Sequence, residues 1–269
     1  MTDRFPDTAT VWAALSSANR APSAQNSQPW QWRVGVQSLH LYATADPRRA
    51  HTDFAVRDLI LSCGATLHHC VVALAALGWQ AKVRRFPDPS QPEHLAALEL
   101  RPYAAADLDI TLAAAIPRRR TDRRHYSSWP VPRGDIALMG ARAARAGVTL
   151  RRVDAESPVP LLESGEDEAT VLALGTVGDD RLSWLRAGEA TSIVLLTATA
   201  LGLASCPVTE PLELAQTRET LRRDTFGAEG HPQMLLRIGW VLIDAEPLPS
   251  TPRRDLAEVV AELHGSSLA

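Results

Sequence analysis

The chain has 269 residues, 45% hydrophobic and 22% charged, and a formal net charge of −3 at pH 7. That length buries a full core as one large domain or two small ones, and the acidic balance excludes bulk attraction to nucleic acid or anionic membranes. The N-terminus MTDRFPDTATVW has no apolar signal core, and no uninterrupted run of eighteen apolar residues occurs. Cys63, Cys70 and Cys206 form no CxxC pair, so the expectation is a cytoplasmic protein with reduced thiols and no membrane span.

In chain order, the first helix opens after Asp7, an N-cap before residues 8–19. A polar loop then leads through Pro29 and Trp30 into a strand. Residues 59–83 are apolar on nearly every side up to Leu77-Gly78, where glycine fits a left-handed helix terminus. Strands are expected at 80–86 and 95–102, helices near Asp109 and Asp135, and strands at 148–153 and 170–175. A second apolar segment, 183–207, carries a helix with its terminus at Leu201-Gly202, followed by a helix over 211–226 and a strand over 233–242. Strands and helices do not alternate strictly, which gives an α+β class.

The two apolar segments are alike. A shift of 124 positions pairs Gly64 with Gly188 and Ala76-Leu77-Gly78 with Ala200-Leu201-Gly202. This suggests an internal duplication with two long buried central helices and a seam near Pro117, dividing the chain into 1–116 and 117–269.

Two segments carry candidate chemistry. In Arg20-Ala-Pro-Ser-Ala-Gln-Asn-Ser-Gln-Pro-Trp-Gln-Trp32, Pro22 and Ser23 start a turn, and Asn26 offers an amide that both donates and accepts. Such a loop reads the edge of a planar ligand, or is simply a polar helix-to-strand connection. In Pro117-Arg-Arg-Arg-Thr-Asp-Arg-Arg-His-Tyr126, five arginines fall in seven positions. Forked guanidinium bonds suit phosphate, and Thr121 at a helix end favours a phosphate cradle. A solvated charge run, a nucleic-acid patch and structural salt bridges are the competing readings.

Elsewhere the chain lacks GxSxG, HExxH, a P-loop and GxGxxG after a strand. His68-His69 reads as a pair of helix-buried histidines rather than metal ligands, and His125 and His231 have no spaced partners. Cys63 and Cys70 share a helical face and pack as small apolar residues. Trp30, Trp32 and Trp184 read as core.

Read together, the two segments resemble the FMN-dependent nitroreductase family. Ala-Pro-Ser-x-x-Asn-x-Gln-Pro-Trp is matched from Ala21 to Trp30, and Arg-Arg-Thr-x-Arg from Arg119 to Arg123. Ser62-Cys-Gly-Ala65, Trp184-Leu-Arg-Ala-Gly-Glu-Ala190 and Pro232-Gln-Met-Leu-Leu-Arg-Ile-Gly239 are similar to its Acg-like actinobacterial branch, in which two such folds are fused. The resemblance implies a three-layer α/β/α sandwich forming a pseudo-dimer, with one flavin mononucleotide (FMN) between the halves. It assigns Arg119, Arg120, Thr121 and Arg123 to the phosphate and ribityl chain, and Pro22, Ser23 and Asn26 to the flavin. Val208, Thr209 and Glu210 fall in the segment whose N–H groups approach flavin N5. Arg237 falls at a second basic contact, and its apolar neighbours Leu235, Leu236 and Ile238 offer no other reason for it.

The activity so implied is hydride transfer between FMN and a small aromatic, nitro or quinone-like substrate, with NAD(P)H as the reductant the resemblance allows. FMN storage without NAD(P)H-driven turnover is the alternative. No side-chain acid, base or metal is required, because the flavin carries the chemistry. The fusion favours a monomer over a homodimer. An Arg-rich nucleic-acid binder is a third reading, opposed by the acidic net charge. The connector 154–169 is acidic and shorter than the helical insertion of relatives, which implies a more open flavin face.

Overall fold

The computed structural model describes residues 5–44, 53–154, 169–227 and 229–263. Most of the connector at 154–169 therefore lies outside the described residues. The chain begins with α1 (Thr8–Ala18), β1 (Trp30–Val34), β2 (Ser38–Ala43), α2 (Asp53–Ala76), β3 (Trp79–Arg85), β4 (His94–Pro102) and α3 (Asp107–Ala115). It continues with α4 (Arg133–Ala144), β5 (Thr149–Arg152), β6 (Thr170–Thr176), α5 (Arg181–Ala200), β7 (Ala204–Val208), α6 (Ala215–Phe226) and β8 (His231–Gly239). A short α7 (Leu256–Val259) and β9 (Val260–Glu262) follow. Two compact units result: Met1–Pro117 with Pro252–Ala269, and Arg118–Thr251.

In the first unit the Asp7 carboxylate accepts from Thr10 N at 2.8 Å and so caps α1. Its five-stranded sheet runs β3-β4-β2-β1-β9. All pairings are antiparallel except β1 with β9, which is parallel with Trp32 opposite Val260. Period-two alternation puts Trp30, Trp32 and Val34 inward, with both indoles fully buried. The buried Trp30 Nε1–H donates to Asn19 Oδ1 at 3.0 Å, which satisfies a group that would otherwise be costly to bury.

Apolar and small on most sides, α2 packs on α1 and is tied to it by Thr66 Oγ1, which donates to Ala18 O at 2.9 Å. Cys63 and Cys70 are buried in it as free thiols. By length and composition alone α2 could cross a membrane, but most of it is buried inside the protein, as in the core helix of a soluble protein. Gly78 at φ +88° ends the segment, a conformation that disfavours a Cβ.

In the second unit the four-stranded sheet runs β5-β6-β8-β7, antiparallel throughout. The central strands β6 and β8 are buried on both faces, so they read as continuous apolar runs. Asp180 caps α5 by accepting from Ser183 N at 2.8 Å, and Gly202 at φ +83° follows its end. Val153, Ala173, Leu212, Leu221 and Leu235 form a core cluster that pins α6 to the sheet.

Several elements differ from expectation. The second apolar helix ends at Ala200 with Gly202 left-handed beyond it, as expected, but the residues that follow form β7, which was not anticipated. Pro207 is tolerated there because β7 is an edge strand. The helix expected at 211–226 divides into a 3-10 turn, Glu210–Glu213, and α6, with Leu214 extended between them. Strands β2 and β9 were not anticipated, and the tail from Pro252 joins the first unit.

Candidate functional site

The loop of the first unit that carries Pro22, Ser23 and Asn26 has an unusual backbone. Gln25, Asn26 and Gln28 have φ of +50°, +55° and +47°, three left-handed residues out of four, each bearing a side chain. Such residues persist only where surrounding bonds over-determine them, and they concentrate at ligand clamps. Here the bonds are many. Ser23 Oγ accepts from Gln28 N at 3.0 Å, and Ser62 Oγ of α2 accepts from Ala24 N at 3.2 Å. Ser27 Oγ donates to Ala24 O at 2.7 Å. Pro22 is buried under the loop, whereas the Asn26 side chain is exposed.

The arginine run of the second unit is a loop stitched to strands. Asp122 N donates to Ser205 O of β7 at 3.0 Å, and Ser127 N to Trp240 O beyond β8 at 2.9 Å. The Tyr126 hydroxyl donates to Asp122 O at 2.7 Å, and its buried ring lies on Gly239, where a Cβ would come within 2.6 Å of it.

The arginines divide by what they hold. Arg124 grips both oxygens of Asp122, at 2.7 and 3.0 Å, and donates to Glu246 O. Arg120 donates to Leu248 O and Arg119 O. Arg124 thus forms a salt bridge with Asp122, whereas Arg120 bonds backbone carbonyls. Arg119 is buried at 5% exposure and donates to Thr121 Oγ1 at 3.3 Å, while Arg123 projects into solvent. Arg237, 2% exposed in β8, donates to Arg124 O at 3.1 Å, with its guanidinium carbon 4.7 Å from the centre of the Tyr126 ring.

Burial would raise the Asp122 carboxyl, but hydrogen bonds from Arg124 and the charges of Arg124 and Arg237 hold it below the usual range. Cys206 lies opposite Arg237 in the β7–β8 register, and burial pushes its thiol up despite the nearby charges of Arg123 and Arg237. This donor set fits a phosphate dianion: two buried guanidiniums, an exposed one and a hydroxyl on one stitched loop and its neighbouring strand. Val208 closes β7 opposite Leu235, and Thr209 and Glu210 begin the 3-10 turn, with Thr209 N donating to Glu210 Oε2 at 3.1 Å.

Two polar clusters had no signal in residue spacing. Asp179 accepts from Arg218 through both oxygens (2.8 and 2.7 Å), from Trp184 Nε1 (2.7 Å) and from Gln233 Nε2 (3.0 Å). Burial would raise this carboxyl, but those hydrogen bonds outweigh it and hold it far below the ordinary range. Trp184 is therefore a half-buried hydrogen-bond donor rather than a fully buried core residue. In the first unit Ser38 Oγ lies 2.8 Å from His40 Nε2, and His40 Nδ1 lies 3.1 Å from His94 Nε2. Burial lowers both histidines. Among the described residues no group of three or more His, Cys, Asp or Glu could hold a metal ion.

Comparison with known proteins gives a consistent result. The Nitroreductase family model matches residues 141–240. The chain is 50% identical to Rv3131 of Mycobacterium tuberculosis H37Rv, provisionally named an NAD(P)H nitroreductase, over 97% of this chain and 93% of the relative. It is 32% identical to the protein acg of the same strain, given the same provisional name, over 96% of this chain and 97% of the relative. The match to Rv3131 spans 321 aligned positions against 269 residues here, so the relative carries residues that this chain lacks. A crystal structure from Anabaena variabilis ATCC 29413, provisionally named a nitroreductase, superposes with a TM-score of 0.51 at 12% identity, covering 86% of this chain and 73% of that one. That likeness speaks for the fold.

Proposed function

Because the chain belongs to the nitroreductase family, we propose that it is an FMN-carrying oxidoreductase acting on a small aromatic, nitro or quinone-like molecule. The observation that carries this reading is the buried Arg119, 3.3 Å from the Thr121 hydroxyl, on a loop whose Arg124 carbonyl accepts from the buried Arg237. With the exposed Arg123, these side chains supply the forked donors and the hydroxyl that phosphate recognition uses. A bound phosphate dianion would accept forked, charge-assisted bonds from them.

Arg119, Thr121, Arg123 and Arg237 would hold the phosphate. Arg120 and Arg124 shape the loop by gripping backbone at 246–248 and Asp122, so Arg120 contributes mainly through position. Pro22, Ser23 and the Asn26 amide would meet the flavin, and backbone at Val208, Thr209 and Glu210 would lie toward its N5 edge. When bound, FMN would supply hydride transfer, the step for which no protein acid or base is needed. The protein's part is to hold the phosphate, orient the ring and shape access to it.

The test is the visible spectrum of the purified protein and of protein reconstituted with FMN. We expect a flavin band, and Arg119→Ala should weaken FMN affinity about 10- to 100-fold, the worth of a lost charge-assisted bond. Protein that stays colourless after reconstitution excludes the reading. Anaerobic mixing with NADH and with NADPH separates turnover from storage: bleaching of the flavin by either supports a nicotinamide-driven reductase, and a flavin that stays yellow with both indicates storage.

A further inference from the structure

Residues 252–254, which reach the first unit from the far end of the chain, are built into the Asn26 loop. Arg253 Nη1 donates to Asn26 Oδ1 at 3.1 Å, while Asn26 Nδ2 donates to Pro252 O at 3.1 Å. Arg253 Nη2 donates to Arg20 O and Ala21 O, both at 3.1 Å. Gln28 Oε1 accepts from Arg254 N at 2.8 Å, Gln28 Nε2 donates to Asn26 O at 3.2 Å, and Asn19 Nδ2 donates to Arg254 O at 2.9 Å. This arm thus meets the loop at its start, its middle and its end.

The pattern at Asn26 is directional. An amide oxygen accepts up to two hydrogen bonds and its nitrogen donates two. The arm uses one of each and leaves one of each for a ligand. Turning the amide over would set its NH2 against the Arg253 guanidinium and its oxygen against the Pro252 carbonyl, donor facing donor and acceptor facing acceptor. The guanidinium therefore selects which end of the amide presents a donor and which an acceptor. It also ties down a backbone that side-chain-bearing residues adopt reluctantly, at φ +50°, +55° and +47°.

We infer that Arg253 is a positioning residue for the cofactor: it fixes the rotamer and hydrogen-bonding polarity of the Asn26 amide for recognition of the flavin edge. This rests on the reading that Asn26 meets the flavin. The loop is thus shaped by residues more than two hundred positions away, which act through Asn26 without touching the flavin.

Hydrogen exchange of the full-length protein without FMN, read at amides 24–28, tests the clamp without any flavin. Arg253→Ala should accelerate exchange there and leave amides of α1 protected. FMN titration of the parent, Asn26→Ala, Arg253→Ala and the double variant then tests positioning. Arg253→Ala should weaken FMN about tenfold, and the double variant should be no weaker than Asn26→Ala alone, because the arginine acts through the amide. Arg253→Lys keeps one donor for Oδ1 and should recover part of the loss.

Unchanged exchange in Arg253→Ala, additive losses in the double variant, or a lysine no better than alanine would each overturn the inference. If Asn26→Ala binds FMN like the parent while Arg253→Ala exchanges faster, the clamp stands and the flavin role of Asn26 falls. If the parent protein binds no FMN, the cofactor role of Arg253 falls with it, and hydrogen exchange alone decides whether the arm clamps the loop.

Discussion

Asp179 ties three elements together through one carboxylate: α6 by Arg218, β8 by Gln233 and α5 by Trp184. Replacing it with asparagine leaves the Arg218 fork facing an NH2 group. We expect a loss of about 2–4 kcal/mol, the range for breaking a partly buried charged network, measured by urea unfolding. A loss below about 0.5 kcal/mol would show the hub to be a surface pair. His68 in α2 gives a pH dependence. Desolvation pushes it down to about 4 from an ordinary 6.5, so the folded state favours the neutral ring. The stability it lends is therefore complete above pH 6.5 and is lost as pH falls toward 4, by at most about 1.4 kcal/mol per pH unit for one proton. Unfolding curves between about pH 7 and 4 should show a shallower decline for His68→Gln than for the parent. At this scale the sequence revealed Asn26 and the arginine run, because their residue types state their chemistry. It did not reveal Arg253 or Asp179, whose partners lie far along the chain and follow no spacing rule.

Among the elements, the close fit of Tyr126 on Gly239 makes β8 the wall against which the arginine loop is pressed. Gly239→Ala puts a Cβ 2.6–2.9 Å from three atoms of Tyr126. Overpacking of this kind costs about 1–3 kcal/mol, read as a lowered melting temperature. If the loop holds the phosphate, FMN should also be lost more readily from this variant than from Gly78→Ala, which we expect to cost about 1 kcal/mol with no effect on FMN beyond stability. The long helices, β3, β4, β6 and β8 were legible from apolar periodicity and from the glycines that end α2 and α5. β2 was not read, although Leu39 and Leu41 point inward in alternation, because its outward positions carry Ser38 and His40 rather than the usual charged residues. β7 was hidden because an apolar strand directly after an apolar helix shows no change of composition. β9 has three residues and gains its structure from pairing with β1, a contact that local sequence cannot announce.

At the level of the whole molecule, the first unit runs to Pro117 and resumes at Pro252, and the crossing at Pro252 had no compositional mark. Ending the chain after Thr251 removes β9 and the arm together. Exchange should then rise across β1 and the Asn26 loop, while β6 and β8, paired wholly within the second unit, keep their protection. Equal loss of protection in both sheets would show that the units unfold as one. The parallel pairing of Trp32 with Val260 also has a bearing on synthesis. The second unit is spliced into the first, so its residues leave the ribosome complete while the opening sheet still lacks an edge strand. At roughly 5–20 residues per second the 134 residues of that insert impose a wait of about 7–27 seconds on the strands made first. For this chain, the part translated earliest is finished last.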